Sequence, residues 1–301
     1  MDKEEINRIK QYYSITEEEF KEMYKKIRML TFQEHKPNLK EKPIAIFTGG
    51  QPGAGKGALI IQTKKEFEIN HKSLLIFDLD RYRAFYKNAI EIALKYPELY
   101  AEITGKVAGK IMEMLSEEAI EKGYNFILEG TMGKSVFTLD VLQKKRTDYD
   151  IVAKLMAVSK EESLLSIVER YIEMKKDMGI GRMTKFENHN SKYENFPNVA
   201  KTLETRGVEV EVYKRSHDVL VPKMIYKTSE KNKRYASVAE AIATGRKHSY
   251  DQCFNTMEER VQNIQKDLQE FGEIGKYRKE IDELMDMVER NCKMEKEEER
   301  C

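Results

Sequence analysis

A glycine-rich turn between a short apolar run and a helical pattern constrains the fold of this chain more than any other feature. The apolar run covers residues 44–47, the turn residues 50–55 and the helical pattern residues 57–67. The turn follows the pattern G-x-x-x-x-G-K and ends at Lys56. Glycines let successive N–H groups converge on one anion, while the helix N-terminus and the lysine add positive charge. In this context the pattern predicts a phosphate-binding loop that holds a nucleotide.

One position of the loop departs from the usual pattern. The lysine is normally followed by Ser or Thr, whose hydroxyl ligates Mg²⁺, but here Gly57 follows it and Ala58 comes next. The metal must therefore be held differently or mostly through water. The residues predicted to bind ATP are Gly50, Gln51, Pro52, Gly53, Ala54, Gly55, Lys56, Gly57 and Ala58.

Composition narrows the class of protein. The 301 residues suffice for one large α/β domain or for a domain with an appendage. Lys and Arg number 53 and Asp and Glu 52, so no net field attracts nucleic acid or a membrane. No apolar run approaches the ~20 residues of a membrane span, and residues 1–5 do not resemble a secretory signal. With three cysteines outside any metal-ligand spacing, a cytoplasmic protein is expected.

The order of predicted elements indicates an α/β fold. Strand and helix patterns alternate over residues 43–228, which is typical of a doubly wound, mainly parallel sheet of the P-loop kinase type. Residues 1–40 are expected to form an N-terminal helical segment, residues 41–248 the P-loop kinase domain, and residues 249–301 a helical C-terminal extension.

The extension carries apolar residues at heptad spacing. A short helix is predicted over residues 236–248, before this pattern. Two helices folded back as a hairpin, or a helix docked on the domain, would explain the pattern, and an intermolecular coiled coil is the alternative. The seam consists of Phe254, Met257, Val261, Ile264, Leu268 and Phe271, and it resumes after two glycines with Tyr277, Ile281, Leu284 and Val288.

Acidic residues follow two of the predicted strands. Asp78 and Asp80 come after the second strand and Glu129 after the third. Parallel sheets bind ligands beyond the carboxyl ends of their strands, so these carboxylates are expected near the phosphate loop. One of the two aspartates would accept a hydroxyl proton and the other would hold a metal-bound water, and Asp78 is a candidate for holding the metal through water. A solvated loop pair is the alternative.

Two arginines could supply positive charge to a phosphoryl group in transfer. Arg170 lies on a helix predicted from about residue 160 to 178, off the centre of its buried side. Arg182 follows Gly179 and Gly181 in a segment that suits a mobile lid. A solvated arginine in a flexible loop would explain the second position nearly as well.

Together these motifs resemble the zeta toxin family of bacterial small-molecule kinases. The resemblance covers about residues 40–230, and its order and spacing are more specific than the phosphate loop alone. The matching pieces are residues 49–56, residues 76–80, Gly123-Tyr124-Asn125, Glu129-Gly130-Thr131, Met156-Ala157-Val158 and Glu169-Arg170-Tyr171.

The resemblance implies an activity, cofactors and a partner. Members of the family transfer the γ-phosphoryl group of ATP to the 3′-hydroxyl of the N-acetylglucosamine moiety of UDP-N-acetylglucosamine, which blocks peptidoglycan synthesis. ATP and Mg²⁺ are therefore the expected cofactors and a UDP-sugar the expected substrate. An epsilon-type antitoxin that blocks the ATP site is the implied partner.

The resemblance also implies residue roles. Lys56 would clamp the ATP phosphates and Asp80 would be the general base for the sugar hydroxyl. The residues expected to bind substrate are Asp78, Asp80, Glu129 and Thr131, with Glu129 and Thr131 on the sugar nucleotide. Arg170 and Arg182 would neutralise charge on the transferring group.

Two other functions stay open at this point. The first is a kinase of the same architecture that acts on another UDP-sugar or a nucleotide; the balanced charge argues against a nucleic-acid end. The second is a non-catalytic, nucleotide-binding interaction protein in which Gly57 marks lost Mg²⁺ handling and the heptad residues bind a partner.

Overall fold

Six strands in the described part of the chain form one sheet. The computed structural model describes residues 2–38, 41–130, 135–145, 148–216, 221–231 and 234–298. The strands are β1 (Ile44–Gly49), β2 (Leu75–Phe77), β3 (Phe126–Glu129), β4 (Asp150–Ala157), β5 (Glu209–Lys214) and β6 (Lys223–Lys227). They lie in the order β2-β3-β1-β4-β5-β6. The sheet is mostly parallel, with β2 and β3 pairing parallel and β5 and β6 antiparallel.

Helices connect the strands and extend both ends of the chain. They are α1 (Lys3–Tyr12), α2 (Glu17–Phe32), α3 (Lys56–Ile69), α4 (Leu79–Arg83), α5 (Ala89–Lys95), α6 (Tyr100–Lys122), α7 (Ser135–Lys145), α8 (Lys160–Met178), α9 (Phe186–Thr205), α10 (Val238–Glu270) and α11 (Arg278–Glu298). Among the residues placed by the structure, no helix is both long and apolar enough to cross a bilayer. A mainly parallel sheet with flanking helices and helical ends confirms the predicted fold class.

The chain contacts divide the protein into two compact units. Unit 1 comprises Met1–Phe47 and Thr63–Val152, and unit 2 comprises Thr48–Gln62 and Ala153–Cys301. The phosphate loop and the C-terminal helices therefore belong to unit 2. The two predicted aspartates belong to unit 1.

In unit 1 the N-terminal helix α2 forms for local reasons and packs through one face. Thr16 accepts a hydrogen bond from the backbone of Glu19, whose side chain accepts one from the Thr16 backbone in return, so the two residues form a capping box. Met23 and Ile27 are buried on the inner face. Arg28 holds the Glu118 carboxylate of α6 through two hydrogen bonds of 2.7 and 2.5 Å. The helix is thus part of unit 1.

In unit 2 the heptad residues form an intramolecular core. Met257, Val261, Ile264 and Leu268 of α10 are buried together with apolar residues of α8 and α11. Because α10 runs from Val238 to Glu270, the short helix predicted over residues 236–248 is wrong in length. No glycine or proline interrupts residues 246–271, so nothing in the sequence ends the helix at 248. The expected domain boundary between residues 248 and 249 falls inside α10.

Candidate active site

The turn after β1 has the backbone of a phosphate-binding loop. Gly50, Gly53 and Gly55 have φ values of +150°, +78° and +84°, which side chains rarely allow. A Cβ on Gly53 would lie 2.0 Å from the backbone oxygen of Ser163. The loop ends where α3 begins at Lys56, which puts the N-terminus of a helix, a position that favours a bound anion, at the end of the loop.

Side chains of the loop hold its shape. Lys56 Nζ donates to the carbonyl oxygens of Gly50 and Gln51, at 3.1 and 3.2 Å. The buried Gln51 amide donates to Val158 O at 2.8 Å and to Ser163 Oγ at 3.2 Å. The lysine ammonium therefore lies over the loop backbone, where a P-loop lysine meets phosphate oxygens. The loop geometry fits the nucleotide that its sequence predicts.

An arginine that the sequence analysis missed completes the loop. Arg215, one residue beyond β5, donates from Nη2 to Gly53 O at 2.7 Å. Its Nη1 donates to Glu162 Oε1 at 2.6 Å and to Ser166 Oγ at 3.0 Å. The Glu162 residue is fully buried, and its carboxylate also accepts a hydrogen bond from Ser249. A buried, paired carboxylate thus fixes the guanidinium group against the loop.

The sequence held a partial signal for this network. Ser159 to Glu162 matches a capping box, and Ser159 does accept the Glu162 N–H at 3.2 Å. The carboxylate of Glu162, however, is used by Arg215 and Ser249. Arg215 follows the carboxyl end of a strand, the position at which ligand-binding residues of such sheets occur. Its contact with the loop depends on residues far apart in the chain.

A cavity of about 590 Å³ opens beside the loop within unit 2. Charged side chains of α8, of α10 and of Arg215 line it. Its lining includes Gly55, Ala58, Glu162, Ser166, Arg215 and Arg260.

The two predicted arginines lie in unit 2. Arg170 is exposed on α8, whose buried face includes Leu165 and Val168. Arg182 is partly buried in the segment between α8 and α9. Their roles in the transfer of a phosphoryl group stay predictions.

The predicted carboxylates lie at one edge of unit 1. Phe77 of β2 pairs with Leu128 of β3 in parallel register, so Asp78 and Glu129 follow paired positions at the carboxyl ends of neighbouring strands. Asp80 Oδ1 accepts from Arg83 Nη1 at 2.5 Å, with the aspartate side chain 56% exposed. Thr131, the fourth predicted substrate-binding residue, lies outside the described residues.

Asp78 has a structural task. Its Oδ1 accepts the N–H groups of Asp80 at 2.9 Å and of Arg81 at 3.3 Å, so it is the N-cap of α4. Over the described ranges, no group of three or more His, Cys, Asp or Glu side chains is positioned to hold a metal ion. A metal-binding role for Asp78 stays a prediction.

Comparison with known proteins identifies relatives of this chain. The family model for Zeta toxin matches residues 26–231. A zeta toxin of Streptococcus agalactiae is 30% identical over 182 residues, which cover 58% of this chain and 61% of that toxin. The toxin PezT of Streptococcus pneumoniae serotype 4 is 27% identical over 239 residues, covering 76% of this chain and 88% of PezT.

A solved structure agrees with the sequence comparison. It comes from a study of the PezAT chromosomal toxin–antitoxin system of Streptococcus pneumoniae and has a TM-score of 0.68 at 26% identity. The alignment covers 86% of this chain and 98% of the other. Since the family model spans more than half of the chain and the P-loop geometry is present, this protein belongs to the Zeta toxin family.

Proposed function

We propose that this protein is an ATP-dependent kinase whose acceptor is the 3′-hydroxyl of the N-acetylglucosamine moiety of UDP-N-acetylglucosamine. The single observation that carries the kinase proposal is the loop at residues 50–56, with three glycines at positive φ and Lys56 Nζ over the loop carbonyls. Membership of the Zeta toxin family supports a phosphotransferase, and the resemblance in motifs supports the sugar-nucleotide acceptor.

The residue roles that the resemblance implies agree with the needs of phosphoryl transfer. ATP would supply the γ-phosphoryl group. The loop amides, the N-terminus of α3 and Lys56 would hold its phosphates, and Arg215 would keep the loop in the binding conformation. Because the transition state is loose, alignment and positive charge matter more than covalent help, which is the part assigned to Arg170 and Arg182.

Asp80 would accept the proton of the attacking hydroxyl. A carboxylate can take this proton late, once the new P–O bond is forming. Glu129 and Thr131 would hold the sugar nucleotide. The protein would hold Mg²⁺ differently or mostly through water, since Gly57 replaces the usual hydroxyl ligand.

An antitoxin is the proposed partner. The solved relative comes from a toxin–antitoxin system, PezAT. A small epsilon-type protein that covers the ATP site would restrain a kinase of this type. Co-expression with a candidate antitoxin, followed by co-purification and loss of phosphate transfer, would test the proposal.

Incubation of the full chain with ATP, Mg²⁺ and UDP-N-acetylglucosamine tests the reaction, with mass spectrometry to detect one added phosphoryl group. Lys56→Ala should abolish transfer because it removes a contact that strengthens in the transition state. Asp80→Asn should bind ATP but reduce turnover by about 10²-fold or more. The matched controls are Lys65→Ala on the same helix and Asp150→Asn, both at exposed sites.

The same assay separates the alternative functions. Transfer to other UDP-sugars or nucleoside monophosphates, with none to UDP-N-acetylglucosamine, would replace the proposed acceptor. Absence of Mg²⁺-dependent, Lys56-dependent ATP consumption would overturn the kinase proposal and favour a non-catalytic binding protein. Asp80→Asn turning over at the parental rate would remove Asp80 from the role of base.

A further inference from the structure

The exposed Arg170 of α8 lies between two residues whose side chains contact the C-terminal part of the chain. These two residues are Glu169 and Tyr171. We call that part the C-terminal hairpin: α10, α11 and the connecting residues 271–277. All of these elements lie in unit 2.

Tyr171 is held by the turn of the hairpin. Its side chain is almost fully buried, its hydroxyl donates to the carboxylate of Glu273, and its ring meets that of Tyr277 edge-on at 5.1 Å. Lys175 Nζ donates to the other Glu273 oxygen at 3.0 Å. Burial opposes the charge on Glu273, but the hydrogen bonds from Tyr171 and Lys175 keep its pKa below the ordinary value.

Tyr171 in turn supports the segment that carries Arg182. A Cβ on Gly181 would lie 2.6 Å from both the backbone oxygen and ring atom Cδ2 of Tyr171, so the glycine packs directly on the tyrosine. Met183, on the other side of Arg182, packs against the hydrophobic cluster that α8 forms with the hairpin. The arginine is therefore flanked by two packed residues. Because Gly181 has no side chain, its backbone can lie this close to Tyr171.

Glu169 is held by the first helix of the hairpin. Arg260 of α10 donates to its two carboxylate oxygens from Nε and Nη2, both at 2.6 Å. A bidentate pair of this kind fixes orientation as well as distance. The residue before Arg170 and the residue after it are thus both tied to the hairpin.

We infer that the C-terminal hairpin positions Arg182 through the contact chain Glu273–Tyr171–Gly181, so that the heptad-patterned tail serves the transfer reaction. Glu273 and Tyr171 are positioning residues, since each acts on Arg182 through another group. This role depends on the proposed kinase function. Charge neutralisation by Arg182 belongs to the transition state, so a displaced arginine lowers kcat more than it changes the KM for ATP.

Two conservative variants test the contact chain in the full-length protein. Tyr171→Phe removes only the hydroxyl, and Glu273→Gln keeps the shape of the side chain. Each should lower kcat by about 10-fold, with the KM for ATP within about twofold of the parent. Asp267→Asn is the matched control. Asp267 pairs with Lys176 of α8 at 2.6 Å, and in the described part of the chain its side chain forms no hydrogen bond with Tyr171. It should keep the parental kcat.

The Arg182→Ala background distinguishes positioning from general destabilisation. If Tyr171 acts through Arg182, Tyr171→Phe should not lower kcat further once Arg182 is absent. An equal further loss in that background would overturn the inference. Melting temperatures of all variants should be measured alongside, and Tyr171→Phe and Asp267→Asn should differ little.

Hydrogen exchange gives a readout that needs no activity. Peptides covering residues 179–185 should exchange faster in Tyr171→Phe and Glu273→Gln than in the parent or Asp267→Asn. Unchanged exchange there would overturn the inference even if the protein transferred no phosphate. Parental kcat in both variants, alongside Lys56-dependent transfer, would overturn the inference and leave the proposed function standing.

Discussion

Gly53 and Gly57 lie four residues apart in the same loop-and-helix motif, but their missing side chains have different consequences. Gly53 has a φ of +78° and no room for a Cβ, which would lie 2.0 Å from Ser163 O. Gly57 lies in the first turn of α3, and a Cβ there would meet nothing within 4 Å. Gly53 is required by geometry, whereas Gly57 marks only a missing hydroxyl.

Alanine at these two positions should therefore have different effects on the free energy of unfolding. Gly53→Ala should lower the free energy of unfolding by at least about 2 kcal/mol, because backbone strain and a steric overlap with backbone add. Gly57→Ala should leave it unchanged or raise it by up to about 1 kcal/mol, since alanine favours a helix. Urea unfolding of both variants is the measurement. Equal losses would contradict the crowding at Gly53.

At the scale of elements, α8 and α9 meet through a buried histidine. His189 of α9 is fully buried and its Nε2 lies 2.7 Å from Ser163 Oγ of α8. The same hydroxyl accepts from Gln51 of the phosphate loop. The hydroxyl of Ser163 thus links the packing of α8 and α9 to the phosphate loop.

The histidine should make the protein sensitive to acid. Burial lowers the pKa of His189 to about 4, whereas an unfolded histidine titrates near 6.5. The unfolded chain therefore binds this proton at a higher pH than the folded chain does. The contribution of the neutral His189 to the free energy of unfolding is complete above pH 6.5 and is lost as the pH falls toward 4. The loss at the acidic end is on the order of 3 kcal/mol.

Urea unfolding at several pH values between 7 and 4, for the parent and for His189→Gln, checks this. The glutamine variant lacks the titrating ring, so its stability should fall less steeply over the same range. Carboxylates titrate in both proteins and cancel in the difference. Parallel curves would show that His189 does not titrate as its burial requires.

At the scale of the whole molecule, the heptad residues serve the core of unit 2. Ile264 is 1% exposed in the cluster formed by α8, α10 and α11. Residues used in this way are not available to pair with another chain. The hairpin interpretation accounts for the seam, because α10 and α11 pack on each other and on α8.

Removal of one seam side chain should thus affect stability and leave assembly unchanged. Ile264→Ala should lower the free energy of unfolding by about 2–5 kcal/mol through the cavity it leaves. Lys266→Ala, exposed on the same helix, should change it by no more than about 0.5 kcal/mol. Light scattering should give the same mass for both variants and the parent. A lower mass for Ile264→Ala would favour the intermolecular coiled coil.

Local signals predicted most elements. The loop between β1 and α3 follows from its glycines and lysine, and α6 ends where Gly123 adopts a φ of +75°. The short helix α4 was not predicted, because its main signal is the capping aspartate Asp78, which also fits a ligand-binding position. The length of α10 was missed, although no glycine or proline ends the helix after residue 248.

The sequence by itself determined the phosphate loop, the α/β fold and the family, because each is recognised from short motifs and from the order in which they follow one another along the chain. Only the tertiary structure decided which side chains support them. Arg215 and Gly53 are 162 positions apart, and Tyr171 and Glu273 are 102 apart. Periodicity and caps act over a few residues, whereas these hydrogen bonds form only after the chain has folded and brought the partners together.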